Sequence, residues 1–77
     1  MTLQILQHVD ARGMSCPMPI AKTALAIKTL ATGALIEVLA TDPGSVKDFS
    51  AWSRMTGNEL VEQSADDGVY RFVLRRK

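Results

Sequence analysis

The residue in this chain best suited to chemistry is its single cysteine, Cys16. It lies in the stretch GMSCPMPIAK, residues 13–22, between two methionines and beside two prolines, directly ahead of a helical pattern. One cysteine cannot form an internal disulfide, and the Cys-x-x-Cys spacing of zinc sites and dithiol redox sites is absent from the sequence. The thiol is therefore either a small buried group or a nucleophile.

The flanking residues favour a nucleophile. Pro17 and Pro19 are expected in the first turn of a helix, where a missing N–H costs little, so Cys16 would lie at the helix N-terminus. The helix dipole and free N–H groups there would favour a thiolate and lower the thiol pKa from about 8.5. Arg12 and Lys22 could add positive charge. We expect an exposed thiol with a lowered pKa, and burial stays open as the alternative.

Other candidates have ordinary structural interpretations beside functional ones. His8 could pair with the thiol, although a lone histidine is more often a polar residue at a strand end. Asp10 is expected to organise the turn by accepting nearby backbone N–H groups. Met14 and Met18 either form an apolar docking rim or pack as filler. Trp52 is expected in the core or at its rim.

The first half of the chain predicts a strand, a turn and an amphipathic helix. Apolar residues alternate weakly in the strand and then recur at helical spacing. Gly33 occupies the place expected for the residue just after a helix. The predicted bounds are a strand over 2–9, a turn over 10–15 and a helix over 17–31, with Ile20, Ala24, Ile27 and Ala31 on its buried face.

The second half predicts a buried central strand, a second helix and a hairpin. Asp42 is expected to cap the second helix, with Pro43 at its first position and Gly57 at its end. The pair Asp67-Gly68 predicts a tight turn between two strands. The predicted strands cover 34–41, 58–64 and 69–76, and Tyr70, Phe72 and Leu74 are expected to face the helices. In the predicted helix, which has a weaker periodicity than the first, one face carries Val46, Phe49 and Ser53 and an adjoining face carries Trp52, Met55 and Thr56.

The predicted element order is βαβαββ. Right-handed crossovers would place both helices on one face of the sheet. We therefore expect an α/β (α+β) two-layer sandwich, with two helices on one face of a four-stranded mixed sheet. The sequence shows no repeat or linker, which predicts a single domain over residues 1–77.

Composition limits the class of protein. The chain has 77 residues, of which 47% are hydrophobic and 22% charged, and a net charge of +1. This balance is typical of a folded domain and gives no basic stripe for nucleic acid. No segment reaches the roughly 20 apolar residues that span a bilayer, and no secretory signal pattern is present. We expect a cytoplasmic protein without membrane contact, and we interpret the basic end formed by Arg75, Arg76 and Lys77 as solvated.

Taken together, these residues resemble the TusA family of small sulfur-carrier proteins, also called SirA-like. The resemblance runs from DARGMSCPMPIAK through DFSAWSRMTGNELVEQ to the C-terminal hairpin. Its most specific part is the Cys-Pro-x-Pro element, Cys16 to Pro19, preceded by the turn from Asp10 to Gly13. The family fold is a βαβαββ sandwich, the same order that the periodicity predicts.

The resemblance implies that the protein is a sulfurtransferase and that Cys16 is its nucleophile. The matching cysteine accepts a sulfane sulfur as a persulfide and hands it to a cysteine of an acceptor protein, without metal or organic cofactor. The implied donor is a cysteine desulfurase or a rhodanese-like protein, and such relays feed tRNA thiolation, molybdenum-cofactor chemistry or sulfur oxidation. The implied site comprises Cys16, the supporting residues Asp10, Gly13, Pro17 and Pro19, and the candidate electrostatic or docking residues Arg12, Met14, Met18 and Lys22.

The number of cysteines distinguishes this chain from some family members and from thiol-disulfide oxidoreductases. Some family members carry another cysteine in the second helix, where this chain has Ser53, so the sulfur on Cys16 would have to pass to another molecule. A thiol-disulfide oxidoreductase would need a Cys-x-x-Cys pair. A non-catalytic interaction or regulatory module of the same fold remains the competing function.

Overall fold

The computed structural model describes residues 4–77 as two layers, in the element order predicted from the sequence. Two helices pack against each other and against one face of a four-stranded sheet. The elements are β1 (Ile5–Ala11), α1 (Met18–Ile27), β2 (Leu35–Ala40), α2 (Ser45–Thr56), β3 (Glu59–Asp66) and β4 (Val69–Arg75).

The sheet is mixed, with strand order β1-β2-β4-β3. β1 and β2 are parallel, whereas β4 pairs antiparallel with β2 on one side and with β3 on the other. The predicted central position of β2 is confirmed. In the register, Ala11 lies opposite Ala40, so β1 and β2 end at the same level of the sheet. The loops that follow these two strands therefore lie side by side.

The core lies between the sheet and the helices. Phe49 of α2 is fully buried and stacks on Phe72 of β4, with ring centroids 4.6 Å apart. Trp52 meets Phe49 edge-on at 6.3 Å and is half-buried, which confirms its place at the core's rim. The remaining buried members of the cluster come from β1, α1, β2 and β4: Val9, Ala11, Ile27, Ile36, Val38, Ala40 and Leu74.

The first strand lies later in the chain than predicted. It runs from Ile5 to Ala11, because Asp10 and Ala11 pair with β2 instead of belonging to the turn. The predicted strand positions 2 and 3 lie outside the described residues.

The first helix is shorter than predicted. It ends at Ile27, after which the N–H groups of Thr29 and Leu30 donate to the carbonyls three residues earlier and tighten the chain into a turn. Gly33 does not follow the helix directly. It has φ +87°, and its N–H donates to the carbonyl of Arg76 at 2.8 Å.

The second helix begins later than predicted. Gly44, not Asp42, is the N-cap, and the cap has no side-chain hydrogen bond. The Asp42 carboxylate is engaged elsewhere, since Oδ1 accepts the Gly44 N–H at 3.1 Å and Oδ2 accepts a donor from another loop. Gly57 ends the helix with φ +81°, as predicted. Met55 points to solvent and is 83% exposed.

The hairpin forms as predicted around Asp67-Gly68, where both residues have positive φ. Phe72 and Leu74 are buried in the core and Tyr70 packs beside them, as expected. The basic end is not simply solvated, because its backbone and side chains are tied to the fold. Arg76 N–H donates to Ala34, the Arg76 guanidinium donates to the Leu30 carbonyl, and Lys77 N–H donates to Asn58.

Candidate functional site

Cys16 lies in the loop between β1 and α1, and its side chain is exposed. The alternative of a buried thiol is therefore excluded. The peptide bond between Cys16 and Pro17 is cis. Pro17 is the N-cap of α1, so the thiol lies one residue ahead of the cap and is accessible to another molecule.

The loop that carries Cys16 is tied to the neighbouring loop after β2. The N–H of Gly13 donates to Oγ1 of Thr41 at 2.9 Å, and the N–H of Cys16 donates to Oδ2 of Asp42 at 2.8 Å. Gly13 has φ +79°, a conformation that favours glycine at this turn. These contacts exist because the parallel strands β1 and β2 end together, which places their following loops in contact.

The charges that act on the thiol are negative. The pKa of Cys16 lies above its ordinary value, first because the Asp48 side chain accepts its hydrogen bond, then because of partial desolvation and the negative charges of Asp48 and Asp42. The predicted lowering of the thiol pKa is therefore wrong.

The start of α1 offers few donors that could offset these carboxylates. Pro17 and Pro19 have no N–H, and the Met18 N–H is already used by the Ser15 carbonyl at 2.9 Å. The N–H of Cys16 itself is bound to Asp42. The anion-binding property of a helix N-terminus depends on free N–H groups, and here the two prolines and the Met18 bond reduce their number.

The two basic candidates are directed to Asp10 and not to the thiol. Arg12 binds the Asp10 carboxylate through Nε and Nη2 at 2.9 and 3.0 Å, and Lys22 Nζ donates to the Asp10 carbonyl at 2.9 Å. The Arg12 N–H also donates to Asp10 Oδ1, which confirms the predicted role of Asp10 in organising the turn. These contacts lower the pKa of Asp10 to about 2, chiefly through the hydrogen bonds from Arg12.

The two methionines differ in their surroundings. Met14 is partly buried and packs against the core, whereas Met18, in the first turn of α1, is 51% exposed. Of the two methionines of the predicted apolar rim, Met18 is therefore the one with an exposed side chain. Pro19, the second residue of α1, is buried, and its carbonyl accepts the Thr23 hydroxyl at 2.8 Å.

His8 lies on the other face of the sheet. Its Nδ1 is 2.7 Å from Oε1 of Glu37, while Arg71 binds the other oxygen of that carboxylate and also contacts Glu62. This network joins side chains from all four strands and lowers the pKa of Glu37, through His8 first and then Arg71. His8 therefore belongs to the sheet surface opposite the helices and not to the thiol site.

A match to a family model covers most of the chain. Residues 7–76 match the model described as "Sulfurtransferase TusA". The chain belongs to the TusA family.

Two TusA-family relatives illustrate the match along the sequence. The chain is 41% identical to "Sulfur carrier protein TusA" of Allochromatium vinosum over 70 residues, covering 91% of this chain and 92% of that protein. It is 48% identical to a "Putative sulfur carrier protein" of Halobacterium salinarum over 73 residues, covering 94% and 90% of the two chains. Membership of the family assigns this chain a sulfur-carrier role with sulfur-transfer partners.

A solved structure supports the TusA fold. The SirA-like protein from Desulfitobacterium hafniense superposes with a TM-score of 0.80, covering 91% of this chain and 96% of that chain at 24% identity. The two-layer α+β architecture with a four-stranded mixed sheet is thereby confirmed. Among residues 4–77, no helix is long and apolar enough to cross a membrane, and no group of three His, Cys, Asp or Glu side chains could hold a metal ion.

Sequence reasoning missed the acidic side of this TusA-family site. Asp42 was expected only as a helix cap, and neither Thr41 nor Asp48 was singled out. The adjacent ends of two parallel strands are a signal for contact between the loops after β1 and β2. No comparable signal exists for Asp48, because its approach to the thiol depends on where α2 packs.

Proposed function

We propose that this chain carries sulfur as a persulfide on Cys16 and transfers it to a cysteine of an acceptor protein. The observation that carries this proposal is the exposure of the chain's only thiol, in a member of a sulfur-carrier family. Asp10, Gly13, Pro17 and Pro19 would act as the scaffold of the thiol loop. We also propose that residues 1–77 work as one domain in a reducing compartment such as the cytoplasm, which keeps the thiol free.

Loading is a nucleophilic displacement. The sulfur atom of Cys16 attacks the terminal sulfur of the donor's persulfide, and a new sulfur–sulfur bond forms while the donor's bond breaks. The bonding electron pair leaves with the donor cysteine, which takes the proton given up by Cys16. In unloading, the sulfur of the acceptor cysteine attacks the terminal sulfur carried by Cys16, and the bond between that sulfur and Sγ of Cys16 breaks. The electron pair of the broken bond returns to Sγ, which takes the proton given up by the acceptor cysteine.

Partners would reach the thiol at the exposed start of α1. Met18 offers an apolar contact next to Cys16, and methionine adapts readily to different surfaces. The donor would be a cysteine desulfurase or a rhodanese-like protein. The acceptor pathway would be tRNA thiolation, molybdenum-cofactor chemistry or sulfur oxidation, and a mixed disulfide trapped on Cys16 in cells would identify the partner.

The test is sulfur uptake measured by intact-protein mass spectrometry. After incubation with a low-molecular-weight persulfide, the protein should gain about 32 Da, and a reducing thiol should remove the added mass. The variant C16S should gain nothing. A non-catalytic interaction module would show no gain in either protein, and that outcome would overturn the proposal.

A further inference from the structure

A groove of about 490 Å³ lies between α1 and α2, on the side where both helices end. Its apolar lining consists of Ala24 and Ile27 from α1 and Trp52 from α2. Trp52 is half-buried and is the only tryptophan of the chain. Apolar concave sites of several hundred cubic ångströms are typical of ligand binding. The groove is therefore a candidate binding site apart from the thiol.

Three cationic side chains also line this groove: Lys28, Arg76 and Lys77. None of them belongs to an ion pair formed within residues 4–77. No aspartate or glutamate of that same range lines the groove. The Arg76 guanidinium binds the Leu30 carbonyl, which is a neutral acceptor and leaves its charge in place. The groove thus combines an apolar lining with positive charge that no carboxylate in its lining neutralises.

The fold holds the backbone of the basic side in place. The Arg76 N–H donates to the Ala34 carbonyl at 2.9 Å, and the Lys77 N–H donates to Oδ1 of Asn58 at 2.9 Å. The Lys77 side chain lies against the end of α2, since its Cδ is 2.8 Å from the position that a Cβ on Gly57 would occupy. The glycine therefore leaves room for the Lys77 side chain beside the groove.

The groove and the thiol lie at opposite ends of α1. Cys16 precedes the helix and lies beside the loop after β2, whereas Lys28 is the C-cap of the helix. Arg76 directly follows Arg75, which pairs with Leu35 at the start of β2. A helix of 10 residues is about 15 Å long. A molecule bound in the groove would therefore leave the thiol accessible.

We propose that this groove binds an acidic peptide segment of a partner protein, in which carboxylates flank one apolar side chain. The apolar side chain packs against Trp52 and Ile27, and the carboxylates pair with the three cations. Exposed ion pairs contribute little individually, so affinity requires the apolar contact as well as the charges. A nucleic acid is a poorer fit, because Trp52 is the only aromatic residue in the lining and the net charge of the chain is +1.

The test follows the fluorescence of Trp52, which reports on the groove directly because the chain has no other tryptophan. The protein is titrated with the acetylated and amidated peptide EELEE in about 0.1 M salt, where charges more than about 10 Å apart are largely screened. We expect a saturable change in emission. The peptide EESEE, which lacks the apolar side chain, should bind at least roughly threefold more weakly.

Variants of the protein test the cations. The double variant K28E/K77E should lower the affinity for EELEE roughly three- to tenfold, because two attractive charges become repulsive. The matched control K47E/R54E reverses two exposed charges elsewhere on the surface, on α2, and should bind EELEE like the wild type. If circular dichroism shows that K28E/K77E does not fold, K28Q/K77Q provides the comparison, with a loss in the same direction.

The thiol separates this proposal from the persulfide function. Saturating EELEE should leave the rate of Cys16 alkylation by iodoacetamide unchanged, and C16S should bind the peptide like the wild type. A protein that fails to load sulfur but passes these tests would retain the groove as a peptide site.

Four results would overturn the proposal. They are equal binding of EELEE and EESEE, an equal loss of affinity in K47E/R54E and K28E/K77E, protection of Cys16 by the peptide, and tighter binding of an oligouridylate of the same charge. The last result would make the groove a nucleic-acid site.

Discussion

At the scale of single residues, Asp10 organises the loop that holds the thiol. Its carboxylate accepts the Arg12 side chain through both oxygens and the Arg12 backbone N–H, and its carbonyl accepts Lys22. Both partners of the ion pair are more than half exposed. The main effect of this ion pair is therefore on the shape of the loop. Its contribution to the stability of the protein depends on whether Asp10 is charged.

Replacing Asp10 by asparagine should change how stability depends on pH. The pKa of Asp10 is lowered from 3.8 to about 2 in the folded protein, so its stabilisation is present above pH 3.8 and is lost as the pH falls to about 2. The difference in melting temperature between the wild type and D10N should shrink over that interval.

Melting temperatures measured from pH 5 down to pH 2 check this expectation. R12L should show the same altered pH dependence as D10N, because Arg12 is the main cause of the lowered pKa. Melting curves of the wild type and D10N that stay a constant distance apart would contradict it.

At the scale of elements, the end of α2 requires glycine. Gly57 has φ +81°, and a Cβ added there would lie 2.8 Å from Cδ of Lys77, the movable part of a flexible side chain. The main obstacle to a larger residue is therefore the left-handed backbone. Gly44, at the start of the same helix, has φ −66° and ordinary contacts at 3.6 Å or more.

We expect G57A to lower the free energy of unfolding by about 1–2 kcal/mol, the cost of a left-handed alanine. G44A is the matched control and should change it by less than about 0.5 kcal/mol, because its backbone is already in a conformation that alanine favours. Urea denaturation measures both. Equal stabilities of the two variants would show that the left-handed position is not what ends α2.

At the scale of the whole molecule, one aromatic contact joins the two layers. Phe49 of α2 is fully buried and stacks on Phe72 of β4, which lies between β2 and β3 in the sheet. A chain of 77 residues buries a small core, so a single large side chain carries a substantial share of its stability.

We expect F49A to destabilise the protein by about 3–5 kcal/mol, through lost burial and the cavity left behind. Since domains of this kind have roughly 5–15 kcal/mol in total, part of the F49A population should be unfolded at 37 °C. M55A, on the exposed side of the same helix, should be near neutral. Circular dichroism during urea denaturation distinguishes them, and similar midpoints would refute this account of the core.

The elements that sequence analysis predicted well are those with local signals. The hairpin follows from Asp67-Gly68, because positive φ at both positions suits a two-residue turn. The end of α2 follows from Gly57 for the same kind of reason. The end of α1 was predicted too late, since continued apolar spacing after Ile27 does not reveal that Gly33 pairs with Arg76.

The sequence by itself determined the order of the elements, the two layers and the position of the only thiol before a helix. These properties depend on periodicity and on residues near one another in the chain. The tertiary structure decided the electrostatics of that thiol. Asp42 reaches the Cys16 N–H because β1 and β2 end side by side, and the carboxylates of Asp48 and Asp42 raise the pKa of a thiol that local rules at a helix start would lower.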